Sequence, residues 1–319
     1  MFSVSTSNKS GFDLIVLTDT HSNSQVEISP SCGGILQGFF FYKNGRHHNV
    51  ISSYNSKDDF IENITAKGFR GCKLSPFACR INLGEYVFEK QTYKIEKFYL
   101  GKNAIHGLLY DQPFDIIEMH ADEHSAKASM QFSYKATDAG YPFFYDCLIT
   151  YLLLKNNELV VETQVKNTSD KAIPVQDGWH PYFTFDKPID QLQLKLHADK
   201  HWIFNEEMIP TGESEPYEGV KNFSLLNQTR FDDCFSVIPS KNIPHAVLKD
   251  PVENIQLEVY ANSNYPFLQL YTPPQRDCIA IENLSGLPDC FNNHNGEILL
   301  APGEVKNFKA TYTIRDLSS

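Results

Sequence analysis

The sequence lacks paired cysteines, long apolar runs and clusters of basic residues. Its seven cysteines are odd in number and no two have C-x-x-C spacing, which disfavours both a disulfide framework and a zinc ribbon. No apolar run approaches the length of a membrane span, and the polar residues 1–11 contain no apolar core of a signal peptide. We therefore predict a cytoplasmic protein with no membrane partner.

Positive charge is also scarce. The chain has 39 acidic and 28 basic residues and a net charge of −11. Nucleic acids are held by clustered Lys and Arg, so a nucleic-acid partner is disfavoured. The chain also contains no G-x-G-x-x-G, G-x-x-x-x-G-K-[ST], H-E-x-x-H or G-x-S-x-G motif. His47 and His48 lack a third ligand at metal-binding spacing, so no metal site is predicted.

Short stretches of alternating apolar and polar residues recur along the whole chain. They include residues 126–134, 159–165, 255–261 and 308–314, and polar turn clusters separate them. Period-two alternation is typical of strands with one buried face. Amphipathic helices are nearly absent, although the charged residues 57–67 could hold a short helix. We therefore predict an all-β fold, a large antiparallel β-sandwich, formed by residues 1–319 as a single domain.

The first candidate for chemistry is His180, which lies between Trp179 and Pro181 and close to Tyr182 and Phe183. Pro181 keeps the chain extended or turning at His180. Flat aromatic faces beside an imidazole suit a small polar ligand with apolar C–H surfaces, such as a sugar. The alternative is a core histidine beside ordinary core aromatics.

Arg80 and His106 are two further candidates. Arg80 stands between Cys79 and Ile81 in a largely uncharged stretch, so it is either paired in the core or directed into a cleft. Its planar donor fork can bind two sugar hydroxyls at once. His106 precedes Gly107, which permits a tight turn, and is either scaffold or ligand.

Two acidic positions complete the set. Asp232 and Asp233 lie between aromatics, where they could form a turn or accept hydrogen bonds from sugar hydroxyls. Glu282 ends an apolar run, and a turn follows at residues 285–288. Beside an apolar cavity its pKa should be raised, which favours a general base, whereas a solvated glutamate flanking a turn is the alternative.

In this order the motifs resemble those of the aldose 1-epimerase, or galactose mutarotase, family. They are Arg-Ile after Pro-Phe, Ile-His-Gly, His-Pro-Tyr-Phe, Phe-Asp-x-Cys-Phe, Ile-Ala-Ile-Glu and Leu-Leu-Ala-Pro-Gly-Glu, spread between residues 71 and 313. The resemblance implies a galactose mutarotase-like supersandwich and interconversion of the α and β anomers of a free sugar without a cofactor. Cys79 departs from the pattern, because many members have asparagine before the arginine.

Carried over by position, the resemblance implies a role for each residue. Glu282 is the general base on the C1 hydroxyl, and His180 is the general acid on the ring oxygen. Its charged form is expected to be stabilised by a nearby acid or carbonyl, and activity is expected to fall at low pH as Glu282 is protonated. The expected substrate-binding residues are Arg80, His106, Asp232 and Trp179.

Two alternatives remain open. One is a hexose-phosphate epimerase of the same fold, which should have an additional basic residue at the pocket rim, and the sequence identifies none. The other is a carbohydrate-binding sandwich that keeps the pocket without catalysis. The sequence specifies neither the sugar nor the choice between monomer and homodimer.

Overall fold

The computed structural model describes residues 1–220, 222–238, 240 and 242–318. These residues form mostly strands, with two α-helices, α1 (Lys57–Asn63) and α2 (Cys290–Asn293), and two 3₁₀ turns, Asn82–Gly84 and Ile189–Gln191. Helix α1 lies in the charged segment where the sequence predicts a short helix, and the Ser56 side chain caps its N-terminus.

The strands of the first half of the chain are β1 (Phe2–Lys9), β2 (Phe12–Asp19), β3 (Ser24–Ser29), β4 (Ile35–Lys43), β5 (Arg46–Asn49), β6 (Lys73–Leu74), β7 (Arg80–Ile81), β8 (Glu85–Phe88), β9 (Gln91–Lys94), β10 (Tyr99–Leu100), β11 (Asn103–Ile105), β12 (Asp115–Ala121), β13 (Ser125–Lys135), β14 (Phe144–Leu154) and β15 (Glu158–Asn167).

The strands of the second half are β16 (Ile173–Val175), β17 (Gly178–Trp179), β18 (Tyr182–Phe183), β19 (Gln193–Leu196), β20 (Ala198–Phe204), β21 (Pro210–Pro216), β22 (Ser224–Leu225), β23 (Asp232–Val237), β24 (Ala246–Asp250), β25 (Ile255–Ala261), β26 (Phe267–Tyr271), β27 (Ile279–Leu284), β28 (Ile298–Leu300) and β29 (Val305–Asp316).

Three large sheets contain most of these strands. A nine-stranded sheet has the order β12-β13-β14-β15-β29-β25-β24-β19-β22, and a five-stranded sheet runs from β1 to β5 in sequence order. An eight-stranded sheet has the order β21-β20-β23-β26-β27-β17-β6, with β18 also paired to β27. Every ladder between the described strands is antiparallel, as predicted.

Alternation along the strands buries one face of the nine-stranded sheet. In β14 the residues Tyr145, Cys147, Ile149, Tyr151 and Leu153 are fully buried, while those between them are partly exposed. Successive side chains of a strand point to opposite faces, so this pattern places a single apolar face against the core. The prediction of strands with one buried face is confirmed here.

Aromatic contacts join the eight-stranded sheet to the nine-stranded sheet. The ring of Trp179 in β17 lies 6.0 Å from that of Tyr151 in β14. The ring of Phe183 in β18 lies 5.3 Å from that of Tyr312 in β29. These contacts belong to one apolar cluster that includes residues from Phe2 to Ile314. The two sheets therefore stack face to face, as a sandwich requires.

Strand β27 differs from β14 because all six of its residues are buried. It lies inside the eight-stranded sheet, between β26 on one side and β17 and β18 on the other. A strand covered on both faces can hold a charged side chain away from water only if a cavity or a partner accommodates it. Glu282 is that side chain, and it lines a cleft.

Two sequence-based expectations concern the chain as a whole. All seven cysteines are buried and unpaired in the structure. Among the described residues, no helix is both long enough and apolar enough to cross a membrane.

Candidate active site

A cleft of about 1220 Å³ opens on the eight-stranded sheet. Five of the six residues that the sequence predicts for the site line this cleft together: Arg80, His106, His180, Asp232 and Glu282. They come from five separate stretches of the chain, so only the fold brings them into one place. The sixth residue, Trp179, does not line it.

Trp179 is therefore corrected from a substrate-binding residue to a core residue. It precedes His180 on an extended segment, so its side chain points to the opposite face of the sheet. The indole Nε1 donates a hydrogen bond to Thr163 Oγ1 at 3.1 Å, and the side chain is buried. Its neighbour His180 takes the face that borders the cleft.

Backbone hydrogen bonds hold His180 where β17 ends. The His180 amide donates to the Cys72 carbonyl at 3.1 Å, and the Gly71 amide donates to the His180 carbonyl at 2.8 Å. Pro181 follows and keeps this segment extended, as the sequence predicts. The imidazole is therefore fixed between two strands rather than carried on a free loop.

His106 is placed by a tight turn that needs Gly107. His106 itself has a positive φ of 63°, and its amide donates to the Cys79 carbonyl at 2.9 Å. A Cβ at Gly107 would lie only 2.3 Å from the Ser75 carbonyl oxygen. No side chain fits at that distance, so glycine is required for His106 to reach the cleft.

Two acidic residues and a glutamine project from the same face of three adjacent strands. Glu282 in β27 pairs with Gln269 in β26, and Gln269 pairs with Cys234 in β23. Asp232 lies two residues before Cys234 and thus on the same face. The Gln269 Nε2 donates to Asp232 Oδ1 at 3.0 Å. Asp232 is therefore part of a strand face and not the turn that its sequence would also allow.

The side chain of the neighbouring Asp233 points to the opposite face of β23 from Asp232. Its Oδ1 lies 2.9 Å from Nε2 of His201, on the far side of the strand from Asp232. Asp233 does not line the cleft, whereas Asp232 does. Of the two acids, Asp232 is therefore the one placed to meet a ligand in the cleft.

Glu282 and His180 form the centre of the site. Glu282 Oε1 lies 3.4 Å from His180 Nε2, and both side chains are almost completely buried. The imidazole rings of His180 and His106 are 5.0 Å apart and nearly perpendicular. Tyr182 stacks on His180 with ring centroids 5.0 Å apart and planes only 5° from parallel. This stack fixes the plane of the catalytic candidate.

Burial shifts the pKa values of Glu282 and His180 in opposite directions. Burial raises the pKa of Glu282 well above its usual value, and the charge of Asp232 adds to this while Arg80 opposes it. Burial lowers the pKa of His180 to about 3. The raised pKa of Glu282 agrees with the sequence-based prediction. A backbone hydrogen bond does favour the charged form of His180, but burial outweighs it and the net shift of the pKa is downward.

Burial also shifts the pKa values of His106 and Asp232. Burial lowers the pKa of His106 well below its usual value, with the charges of His180 and Arg80 adding to the effect. Burial raises the pKa of Asp232, partly offset by the charge of Arg80. A neutral His106 can either donate or accept one hydrogen bond at each ring nitrogen.

Arg80 supplies the positive charge of the inner cleft. Its guanidinium makes no hydrogen bond or ion pair with any residue in the described ranges, although its charge acts on Asp232 and Glu282. The donor fork is therefore available to a ligand. Of the two roles that the sequence left open, the placement in the cleft favours ligand binding.

Two residues of the site were missed by sequence reasoning. Gln269 is buried, lines the cleft, and has an Oε1 atom with no hydrogen-bond partner in the described chain. Tyr182 was identified as an aromatic neighbour but not as the ring that stacks on His180. Gln269 was the one polar residue inside the apolar run of β26, and that contrast could have identified it.

The structure places basic residues along the cleft that the sequence did not identify. Besides Arg80, the cleft is lined by Lys9, Lys67, Arg70, Lys187 and Arg276. All five are paired with acids: Lys9 with Glu27, Lys67 with Asp59, Arg70 with Asp277, Lys187 with Asp250 and Arg276 with Asp190. The sequence could not show this, because the cations come from stretches that the motifs do not include.

Metal ligation has no support in the arrangement of side chains. Across the part of the chain that the structure describes, no three His, Cys, Asp or Glu side chains are grouped so as to hold an ion.

Comparison with solved structures defines the class of fold. A galactose mutarotase-like protein from Clostridium acetobutylicum superposes with a TM-score of 0.86 at 18% identity, covering 99% of both chains. The galactose 1-epimerase from Lactobacillus acidophilus superposes with a TM-score of 0.81 at 20% identity, again covering 99% of both chains. At these identities the likeness shows the fold alone, which is a galactose mutarotase-like β-sandwich.

Sequence comparison then gives the family. The aldose 1-epimerase family model matches residues 13–313, so the chain belongs to the aldose 1-epimerase family. The maltose epimerase of Levilactobacillus brevis is 27% identical over 279 residues, covering 81% of this chain and 79% of that protein. The galactose mutarotase of Sus scrofa is 24% identical over 301 residues, covering 83% of each. The prediction of a carbohydrate epimerase, an isomerase, is confirmed at the level of the family.

Proposed function

We propose that the protein interconverts the α and β anomers of a free aldose by opening and reclosing its ring. The observation that carries this proposal is the buried pair of Glu282 and His180, 3.4 Å apart in a cleft. The hydroxyl oxygen and the ring oxygen of the anomeric centre are bonded to the same carbon. An acid and a base this close together can therefore address both oxygens of one sugar.

In the proposed mechanism, Glu282 acts as an ionised base and His180 as a protonated acid. Glu282 takes the proton of the C1 hydroxyl, and the electrons of that O–H bond form the C1 carbonyl. The bond from C1 to the ring oxygen breaks, and its electron pair takes the proton from His180 Nε2. Rotation about C1–C2 turns the other face of the aldehyde to the hydroxyl. The same transfers in reverse then close the ring and restore both residues.

The pKa shifts fit this cycle. Ring opening leaves Glu282 protonated and His180 neutral, and burial favours that state because it raises the pKa of Glu282 and lowers that of His180. The cleft thus stabilises the form of the pair that accompanies the open-chain sugar. That stabilisation offsets part of the cost of opening the ring.

The remaining residues hold the sugar in place. Arg80 offers a free donor fork to two hydroxyls, and Asp232 and the Gln269 Oε1 atom are acceptors on the same strand face. His106, 5.0 Å from His180 between ring centroids, is positioned to orient the ring oxygen. We further propose that residues 1–319 act as one domain and that a small sugar is the partner molecule.

The two alternative functions differ in what they would require. A phosphate-binding epimerase needs cations free to meet a dianion, and the five basic residues that line the cleft besides Arg80 are already paired with acids. A non-catalytic carbohydrate-binding protein needs Arg80 and Asp232, but it does not need a buried acid–base pair with opposed pKa shifts.

Replacement of Glu282 by glutamine tests the proposal. Glu282→Gln keeps the side-chain volume and can hydrogen-bond the C1 hydroxyl, but it cannot take the proton. We expect the variant to fold and bind sugar while losing at least about 100-fold of the acceleration. The measurement is polarimetry of freshly dissolved α-glucose and α-galactose.

The matched control is Glu89→Gln, an exposed glutamate in the turn after β8, which should keep full activity. A wild-type protein that binds sugars but accelerates no anomer would establish the non-catalytic alternative. A Glu282→Gln variant as fast as the wild type would show that another group is the base.

A further inference from the structure

The cleft continues well beyond the acid–base pair. Its inner part is lined by Arg80, His106, His180, Asp232 and Glu282. We call the rest the outer cleft, lined by the five-stranded sheet and by residues 52–55, 65–70 and 273–277. Apart from residues 273–277, which connect β26 to β27, the outer cleft is lined by parts of the chain outside the sheet that carries Glu282, so it forms a second wall.

The size of the cleft exceeds what a single sugar ring needs. Pockets for drug-sized ligands occupy roughly 300–1,000 Å³, and one pyranose ring is smaller than such ligands. The cleft here measures about 1220 Å³. A monosaccharide held by the inner residues would leave the outer cleft empty.

The lining of the outer cleft is chemically suited to a carbohydrate. Neutral polar side chains that can both donate and accept hydrogen bonds line it: Ser10, Gln37, Asn49, Ser52, Asn55 and Thr65. Phe40, partly exposed, adds an aromatic surface. A sugar presents hydroxyl groups at its edges and C–H bonds on its faces, which match these two kinds of surface.

Arg70 joins the two parts of the cleft. Its guanidinium lies 5.2 Å from the ring of Tyr182, the residue that stacks on His180. Its Nη1 donates to Ser52 Oγ at 2.5 Å, and its Nη2 lies 3.8 Å from Asp277 Oδ1. Arg70 lines the cleft, and its Nε is buried and has no hydrogen-bond partner within the described residues. A buried donor without a partner costs free energy unless a ligand accepts from it.

We propose that the outer cleft binds a second sugar unit, and that the substrate is a reducing disaccharide whose reducing ring is opened by Glu282 and His180. This inference rests on the function proposed above. In a pyranose the C4 carbon lies across the ring from C1. A second ring linked through O4 therefore points away from the acid–base pair. We place it in the outer cleft, where Arg70 Nε is a donor without a partner in the described chain.

Kinetics with a matched pair of sugars tests the proposal. Maltose and glucose present the same reducing ring, but only maltose carries a second ring on O4. We expect kcat/KM for maltose to exceed that for glucose by at least about tenfold, mainly through KM, as one hydrogen bond to a charged group predicts. Equal or lower kcat/KM for maltose would overturn the proposal.

Variants locate the second ring by their effect on the ratio of kcat/KM for maltose to that for glucose. Arg70→Lys keeps the charge but removes Nε, and we expect it to lower this ratio at least about threefold. Any effect transmitted to His180 through Tyr182 acts on both sugars and cancels in the ratio. The control Lys94→Met, exposed and outside the cleft, should leave the ratio unchanged. An unchanged ratio in Arg70→Lys would contradict the role of Arg70 and the proposed direction of the second ring.

Calorimetry separates this proposal from the proposed function. Methyl β-maltoside and methyl β-glucoside have no free anomeric hydroxyl and cannot be turned over. We expect the maltoside to bind more tightly. Tighter binding of the maltoside by a protein that accelerates no sugar would sustain the subsite and defeat the catalytic function. Equal affinities for the two glycosides would defeat the subsite even in an active enzyme.

Discussion

Glu282 Oε1 and His180 Nε2 lie 3.4 Å apart, so the protonation of one residue affects that of the other and the two titrate as a pair. Burial raises the pKa of the carboxyl and lowers that of the imidazole to about 3. At pH values between these two pKa values the pair holds one proton in total, bound to either Glu282 or His180. Ring opening needs one proton in the pair, since one residue must accept and the other must donate.

The pH dependence of kcat/KM follows from this count of protons. We expect activity to stay flat down to about pH 4, because a second proton binds His180 only near its lowered pKa of about 3. On the alkaline side activity should fall as pH rises through the raised pKa of Glu282, where the pair loses its single proton.

This revises the expectation from the sequence, which placed the loss of activity at low pH with protonation of the carboxylate. The measurement is the initial rate by polarimetry across pH, corrected for spontaneous mutarotation. A loss of activity centred near the ordinary glutamate pKa of about 4.3 would show that Glu282 titrates independently of His180.

Arg80 provides a second test at the level of the residue. Arg80→Lys keeps the positive charge but loses the planar fork that can bind two hydroxyls. We expect sugar binding to weaken by about 1–3 kcal/mol while kcat changes little. Calorimetry and steady-state kinetics measure the two effects. Arg46→Lys, an exposed arginine outside the cleft, is the matched control. Unchanged affinity in Arg80→Lys would identify a structural role for Arg80.

A buried ion pair joins the short strands behind the active site. Lys73 in β6 and Asp177, which precedes β17, have Nζ and Oδ1 2.5 Å apart and are almost fully buried. Tyr265 donates to the same oxygen at 2.5 Å. The Ser285 amide, just after β27, donates to the Asp177 carbonyl at 2.9 Å. The pair therefore connects the strand that leads to His180 with the strand that carries Glu282.

We expect this ion pair to position His180 and Glu282 more than it stabilises the fold. Buried ion pairs are often replaced by apolar residues at little cost, whereas removal of one partner costs about 3–5 kcal/mol. Lys73→Met with Asp177→Asn removes both charges and keeps an acceptor for Tyr265. The double variant should unfold in urea within about 2 kcal/mol of the wild type. Its kcat should fall about tenfold with little change in KM, because His180 and Glu282 are less well aligned.

Lys73→Met alone is the comparison, because it leaves Asp177 buried and unpaired and should lose stability outright. A stable double variant with an unchanged kcat would show that the ion pair does not position the catalytic residues.

Alternation in the sequence predicted the inner strands well and the edge strands poorly. The segments chosen for period-two alternation became β13, β15, β25 and β29, each with a buried face. Strand β21 was not predicted, because at a sheet edge nearly all of its residues are exposed and leave no apolar pattern. Hydrogen bonding to one neighbour holds such a strand, and that information is not local in the sequence.

The lack of non-local information also explains which residues of the candidate site could be predicted from the sequence. Arg80, His106, His180, Asp232 and Glu282 could be selected because each is a polar residue in a short apolar context. Trp179 was selected as a flat aromatic face beside His180, but the direction of its side chain depends on strand phase. Gln269 and the ion pairs of the rim depend on which strands become neighbours. Those pairings are set by tertiary packing, which a single sequence does not show.

The charge of the whole molecule agrees with a neutral substrate. The net charge of −11 creates a negative field that slows the approach of anions. The acids paired with the cations of the outer cleft have the same effect at short range. A neutral sugar is indifferent to both, so its association rate should depend little on salt.

The central position of β29 has a consequence for how the chain folds. This strand pairs with β15 on one side and β25 on the other, and it is synthesised after both. Until it is added, the nine-stranded sheet exists as two parts with unpaired edges, which are prone to aggregate. A nascent chain that pauses before Val305 therefore exposes both edges to its neighbours, and their protection depends on the 12 residues of β29.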